Sequence, residues 1–252
     1  MVVDAAVLQI DLGNSALKWR LVQGDRILER GAQARGSSGF DAPVPDHSPS
    51  AVLVASVAAA EEELQLAERI RQHWSLESWF ARSEAETLGL RNSYVRPETM
   101  GVDRWLAMLA AWYALRERVC VVDAGSALTI DIVAASGQHE GGYILPGAAL
   151  MQQSLLRDTR RVRFDEAIVA SLEPGASTAE AVCHGAMLAQ CGAVQLALNL
   201  AVAGGAARPR LIVAGGDGKR LVERLGEVSE FRRDLVFEGL GLAAIARSGN
   251  IV

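Results

Sequence analysis

The stretch VLQIDLGNSALKWR runs from Val7 to Arg20. An apolar run, Val7-Leu8-Gln9-Ile10, ends on Asp11. Gly13, Asn14 and Ser15 follow, and then Leu17, Lys18 and Trp19. This pattern reads as two strands around a tight turn. The stretch VCVVDAGSALTIDIV at 119–133 repeats it. Asp11-Leu12-Gly13 matches Asp123-Ala124-Gly125, and with one residue skipped Ser15-Ala16-Leu17 matches Ser126-Ala127-Leu128. The echo predicts two similar halves, each opening on a hairpin that presents an Asp and a small-residue turn at one end.

Such a turn has a definite chemistry. Glycine lets the backbone approach a ligand, because no Cβ intervenes. Backbone N–H groups and a Ser hydroxyl donate to phosphate oxygens. An Asp at the strand end can hold a hydrated Mg²⁺ beside those phosphates, and Lys18 can reach them as a point charge. An ordinary hairpin, with Asp and Asn serving turn geometry, would account for one copy. Two copies, with a further glycine turn at Gly215-Gly216, favour phosphate binding. Two such turns facing each other across a cleft would grip a nucleoside triphosphate.

Outward from the hairpins, short β-rich stretches alternate with helical ones, which makes the class α/β. Residues 36–50 are Gly-, Pro- and Ser-rich and read as a loop; 51–57 read as a buried strand. Residues 60–74 read as a helix with Leu64, Ala67, Ile70 and Trp74 along one face. A second helix carries Trp105, Leu109, Trp112 and Leu115. A strand, turn and helix start fall in 141–156, a long helix in 178–203, and a strand entering a helix in 211–221. The uncharged stretch 185–207 is long enough to span a bilayer, but its Gln and Asn residues suit a helix in a core or at a subunit interface.

The 252 residues, half of them hydrophobic, allow one large domain or two ordinary ones. The net charge of −5 gives no support to nucleic-acid or anionic-membrane partners, which call for a basic face. Cys120, Cys183 and Cys191 share no CxxC spacing and read as small core residues of a reduced, cytoplasmic protein. The N-terminal residues lack the basic start of a signal peptide.

Taken in order, DLGNSALK (11–18), NSYVRPETMGVDRW (92–105), DAGSALTID (123–131) and GGYILPGAALM (141–151) resemble the signature blocks of type III pantothenate kinases. These belong to the acetate kinase, sugar kinase, Hsp70 and actin superfamily. The resemblance runs from residue 11 to about residue 218. It implies two ribonuclease-H-like domains, here 1–117 and 118–252, with nucleotide in the cleft and the last helix packing back on the first domain. It implies that Asp11, Leu12, Gly13, Asn14, Ser15, Ala16, Leu17 and Lys18 bind ATP phosphates, with Asp11 near Mg²⁺. Tyr94, Gly101, Val102, Asp103 and Arg104 would bind pantothenate, with Asp103 as general base. Asp123 would hold a monovalent cation, K⁺ or NH₄⁺, and Ser126 would contact ATP. Thr178 would serve a substrate, across the interface of a homodimer. The family commonly has Thr at the positions of Ser15 and Ser126, and its Asn-Tyr pair is here stretched by Ser93.

The residues bear these roles on their own chemistry. A carboxylate within reach of a hydroxyl can take its proton during phosphoryl transfer, although Asp103 could equally cap the helix that it precedes. Arg104 can fork onto a carboxylate or a phosphoryl group. In a first helical turn the macrodipole disfavours a cation, which hints at an anion nearby. His184 beside Cys183 suggests nucleophilic chemistry, but adjacent helix residues point about 100° apart. His47, His73 and His139 fit no metal-ligand spacing. The basic run at 157–164 reads as a solvated surface. The chief rival is a regulatory accessory protein of the Bvg accessory factor type, with weak or no catalysis; the retained Asp11, Asp103, Arg104 and Asp123 argue against it. Another kinase or phosphatase of the superfamily is the third reading.

Overall fold

The computed structural model describes residues 5–36, 40–158, 168–226 and 228–249. The central residues of the basic run, Arg160, Arg161 and Arg163, lie outside them. The chain forms two compact units. One carries the residues up to Ala110 together with those from Leu235 onward; the other is Ala111–Asp234.

The first unit is built on a five-stranded sheet. Its elements are β1 (Val7–Leu12), β2 (Ala16–Gln23), β3 (Arg26–Ala34), β4 (Ala51–Ser56), α1 (Ala60–Trp74) and β5 (Ser78–Phe80). The spatial order is β3-β2-β1-β4-β5. β2 runs antiparallel to β1 and to β3, whereas β4 is parallel to β1 and β5. Alternation along β1 sets its faces. Leu8, Ile10 and Leu12 are buried with Leu66 and Ile70 of α1, and fully burying each such side chain contributes roughly 1.5–3 kcal/mol. Gln9 and Asp11 take the other face. α1 carries Glu61, Glu62 and Glu63 in its first turn and Arg71 and His73 in its last, as the macrodipole favours. The packed stripe is Leu66 and Ile70; Leu64, expected on that face, is 71% exposed. The spacing from Ile70 back to Leu66 is as helical as that to Ala67, and burial chose the larger side chain.

A short hairpin, β6 (Glu86–Thr87) with β7 (Leu90–Arg91), precedes α2 (Val102–Leu115). Every residue of α2 from Arg104 to Trp112 is buried, and from Trp105 on each of them is apolar. The last described helix, α6 (Leu235–Ser248), packs against β1 and β4. It also presses on α2 at Gly239, where any Cβ would collide with the backbone of Leu106.

The second unit repeats the plan. β8 (Val119–Ala124), β9 (Ala127–Val133) and β10 (His139–Pro146) lead to α3 (Ala148–Asp158) and α4 (Thr178–Ala201). Then come β11 (Arg210–Ala214), α5 (Gly218–Leu225) and β12 (Ser229–Phe231). The order is β10-β9-β8-β11-β12, with the same alternation of strand directions. Cys120, Val122 and Ala124 of β8 bury against Met187, Val194 and Leu198 of α4 and Leu221 of α5. α4 packs on α3, α5 and β9 with one face and exposes Leu188, Leu196 and Leu200 on the other.

Candidate functional site

Pairing of β1 with β2 ends at Leu12 opposite Leu17, which leaves residues 13–16 as the turn. The Gly13 N–H donates to the Ala16 carbonyl at 3.0 Å and closes it. Leu12 and Leu17 are buried, so their side chains anchor the turn from below, and only their backbone can serve a ligand. Asn14 and Ser15 are exposed at its tip. Asp11 stands in register with Lys18 across the strand pair, and Lys18 is exposed. One residue near the turn was not foreseen. Arg35, just past β3, donates from its backbone N–H to the Ser15 carbonyl at 3.2 Å and from Nη1 to the Asn14 carbonyl at 3.2 Å.

The ends of β1 and β4 lie side by side: the Val57 N–H donates to the Leu12 carbonyl at 3.1 Å. Beyond them is the start of α2. Gly101 precedes the helix and Val102 opens it, so Asp103 stands in its first turn, past the capping position. Its Oδ1 accepts from the Arg104 N–H at 2.8 Å. A Cβ on Gly101 would lie 2.6 Å from that Oδ1 and 3.9 Å from the Val57 side chain. A side chain at residue 101 would force the Asp103 carboxylate to shift. Arg104 is 6% exposed, and its Nη1 donates to the Tyr94 hydroxyl at 3.0 Å. Tyr94, Gly101, Asp103 and Arg104 thus form one cluster, reached by the chain reversal at Pro97–Thr99. A cavity of about 370 Å³ opens beside it, lined by Ser56, Val57, Arg82, Ser83, Gly101 and Val102 among others. It lies past the carboxyl end of β4, the usual place for ligands in sheets with parallel strands. Glu63 accepts from Arg82 in a two-pronged pair at its wall, Oε1 from Nη1 at 3.0 Å and Oε2 from Nη2 at 2.6 Å.

In the second unit the turn is one residue shorter. The Gly125 N–H donates to the Ala127 carbonyl at 2.9 Å. The Ser126 carbonyl accepts from Gly147 at 2.9 Å, and the Ser126 side chain is exposed. Asp123 lies at the end of β8, in register with Thr129. Gly215, at φ +90°, lies so close that a Cβ would strike both the Asp123 carboxylate and the Ala124 carbonyl. Thr178 is the exposed first residue of α4, whose N-cap Ser177 accepts from the Glu180 N–H at 3.1 Å.

Other candidates resolve into structure. Burial pushes the Cys183 thiol up, and His184 Nδ1 is 2.8 Å from the Glu173 carbonyl, so the adjacent pair makes no nucleophile and base. His139 is buried with Asp131, Nε2 to Oδ1 at 3.0 Å, a contact between neighbouring strands that no linear spacing announces. Among the described residues no three His, Cys, Asp or Glu side chains gather as a metal centre. Any cation here has to complete its shell from phosphate, water or backbone oxygen, which the single carboxylates Asp11 and Asp123 allow.

The sequence matches the family model of type III pantothenate kinase over residues 7–199. A type III pantothenate kinase of Pseudomonas aeruginosa (strain LESB58) is 35% identical over 244 residues, spanning 94% of this chain and 98% of its own. Two solved structures share the fold. A Campylobacter jejuni protein described as a Baf family transcriptional activator aligns at TM-score 0.60 and 21% identity, covering 97% of this chain and 100% of its own. A Sinorhizobium meliloti protein described as a 2-dehydro-3-deoxygalactonokinase aligns at TM-score 0.60 and 16% identity, covering 96% and 99%. Paired sheets of one topology, a phosphate-type turn and an Asp-Arg helix start accord with these matches: the chain belongs to the type III pantothenate kinase family.

Proposed function

We propose that Asp103 is the general base of an ATP-dependent phosphorylation of pantothenate, the first step toward coenzyme A, and that Arg104 and Tyr94 hold the acceptor. The reaction itself follows from family membership. The observation that supports the assignment is the Asp103 carboxylate seated against Gly101, a residue that lines a polar cavity, beside the part-buried Arg104–Tyr94 contact. A carboxylate there can accept the proton of a primary hydroxyl as the phosphoryl group arrives. Arg104 would fork onto the carboxylate of pantothenate. Gly101 and Val102 border the bound acceptor, and Thr178 would serve the acceptor bound by the other copy, across a homodimer interface.

The turn 13–16 presents backbone N–H groups and the Ser15 hydroxyl to the triphosphate, with Lys18 as a point charge and Leu12 and Leu17 as its foundation. Ser126 contacts ATP as well. Mg²⁺ on the triphosphate supplies charge neutralisation, and Asp11 is the residue that would hold it. Asp123 would hold K⁺ or NH₄⁺. The protein acts in the cytoplasm as a homodimer. The exposed face of α4, with Leu188, Leu196 and Leu200 around the small Ala189 and Gly192, suits packing against its own copy.

An assay of ADP release with ATP, Mg²⁺ and pantothenate, in K⁺ and then in Na⁺, tests this beside Asp103→Asn. Turnover that needs pantothenate and collapses in the variant is expected. Turnover retained by Asp103→Asn would remove the base. Sedimentation showing only monomer at micromolar concentration would remove the dimer.

A further inference from the structure

Arg35 belongs to none of the motif blocks, yet it touches the phosphate-type turn more than any other side chain whose contacts are described above. Its backbone N–H holds the Ser15 carbonyl and its guanidinium holds the Asn14 carbonyl. The other guanidinium nitrogen pairs with Glu62 in the first turn of α1. Arg35 thus ties the tip of the hairpin to a helix of the same unit. The side chain is 44% exposed and Glu62 20% exposed, so the pair lies at the surface and its fixed geometry matters more than its Coulomb energy.

A peptide unit is planar and trans, so the carbonyl of one residue and the N–H of the next point in opposite directions. Holding the carbonyls of Asn14 and Ser15 therefore fixes where the N–H groups of Ser15 and Ala16 aim. A turn that binds phosphate has to keep its N–H groups converged and its carbonyl dipoles averted. The exposed Asn14 and Ser15 do not enforce that by packing. The Gly13–Ala16 bond closes the turn without engaging the carbonyls of Asn14 and Ser15 at its tip.

We propose that the Arg35 side chain, braced by Glu62, is a positioning group that sets the Asn14–Ser15 peptide plane of the turn for triphosphate binding, beside the Ser15 carbonyl that the Arg35 backbone N–H holds. The inference rests on the reading of residues 13–16 as the phosphate turn. Guanidinium suits the task because its planar fork can reach a carbonyl and a carboxylate at once, which a lysine ammonium does not reproduce.

Steady-state kinetics and direct titration with a fluorescent ATP analogue test it on Arg35→Ala, Glu62→Ala, Glu62→Gln and the double Arg35→Ala/Glu62→Ala variant. Arg35→Ala should raise the KM for ATP and the analogue Kd about tenfold, the loss of one hydrogen bond to a charged group, with kcat and the KM for pantothenate within about twofold. Glu62→Ala should follow it, Glu62→Gln should recover part of the loss through its amide oxygen, and the double variant should be no worse than Arg35→Ala. Unchanged ATP affinity in Arg35→Ala would overturn the proposal. So would additive losses in the double variant, or equal losses for both substrates with a lowered melting temperature. Wild-type protein that binds no nucleotide would remove the turn reading itself. Wild-type binding that Arg35→Ala leaves intact removes this inference alone.

Discussion

The turn after β1 and the turn after β8 close the same pair of strands in the same sheet order, but different things hold them. The first has one more residue, presents Asn14 and Ser15, and is held from outside by the Arg35 side chain. The second is hemmed in by backbone: Gly147 bonds the Ser126 carbonyl, and Gly215 leaves no room for a side chain beside Asp123. Register sharpens the contrast. Asp11 faces Lys18, whereas Asp123 faces the hydroxyl-bearing Thr129. An ammonium beside the first turn suits bound phosphate; a carboxylate opposite a hydroxyl suits a cation. The two sheets share one topology, and their corresponding ends carry different residues. The connections diverged as well. The third and fourth strands are joined in the first unit by 35–50, which holds no helix among its described residues. In the second they are joined by a segment that includes α3 and α4.

The largest break in this comparison concerns the acceptor block, which follows β5 and has no counterpart after β12. Asp103→Asn should lower kcat on the order of 10²- to 10⁴-fold while ATP still binds. Pre-steady-state ADP formation and nucleotide titration separate the two effects. Next comes the backbone packing of the second turn. Gly215→Ala meets two oxygens and a positive φ, and should cost about 1–3 kcal/mol. The neighbouring Gly216→Ala has nothing within 4 Å of its Cβ and should melt like the parent in a thermal scan. Equal melting of the two variants would show that the second turn relaxes as readily as the first.

The two carboxylates allow a finer cut. In Asp123→Asn the advantage of K⁺ over Na⁺ should vanish with about a tenfold loss of activity, the scale of one removed charge contact. Asp11→Asn should keep that advantage and need more Mg²⁺. Rates measured across a K⁺ series and a Mg²⁺ series assign each ion to its turn, and identical responses would erase the distinction drawn above.

The smallest effect near neutral pH lies in the cores. Cys120 of β8 occupies the place that Leu8 fills in β1, and burial pushes its thiol from 9.0 up to about 12. The unfolded chain releases that proton first as pH rises. The contribution of the buried neutral thiol is therefore complete below about pH 9 and is lost between pH 9 and 12, by more than about 1 kcal/mol per unit. Urea titrations at pH 8 and pH 10 should show a steeper alkaline decline for the parent than for Cys120→Val, which has no thiol at that position.

Much of the fold was legible because β1–β2 and β8–β9 are strongly apolar, bounded by glycine and alike. β3, β5 and β12 were not, since edge strands such as RILERGAQA break the apolar alternation with Arg26, Glu29 and Arg30 and bury little. The acceptor block announced itself as Gly-x-Asp-Arg, yet the reason for its glycine is three-dimensional: Gly101 makes room for the carboxylate two residues ahead. Arg35 and the buried His139–Asp131 pair were illegible for a related reason. Their partners are fixed by strand register and helix placement, 21 and 27 residues away for Arg35, and no local pattern encodes such distances. At equivalent register, Arg20 bonds Gln9 at 2.6 Å in the first sheet where Asp131 meets His139 in the second. The polar position persisted while its chemistry changed.

Gly239 of α6, seated on the backbone of Leu106, bears on the order in which the protein can be made. α6 packs on β1 and β4, so the sheet synthesised first is covered by the last described helix to leave the ribosome. The second unit is one unbroken segment and is complete before that helix appears. Synthesis thus finishes the later unit first, and the nascent chain has to shelter the uncovered face of β1, with Asp11 on it, until the closing helix arrives.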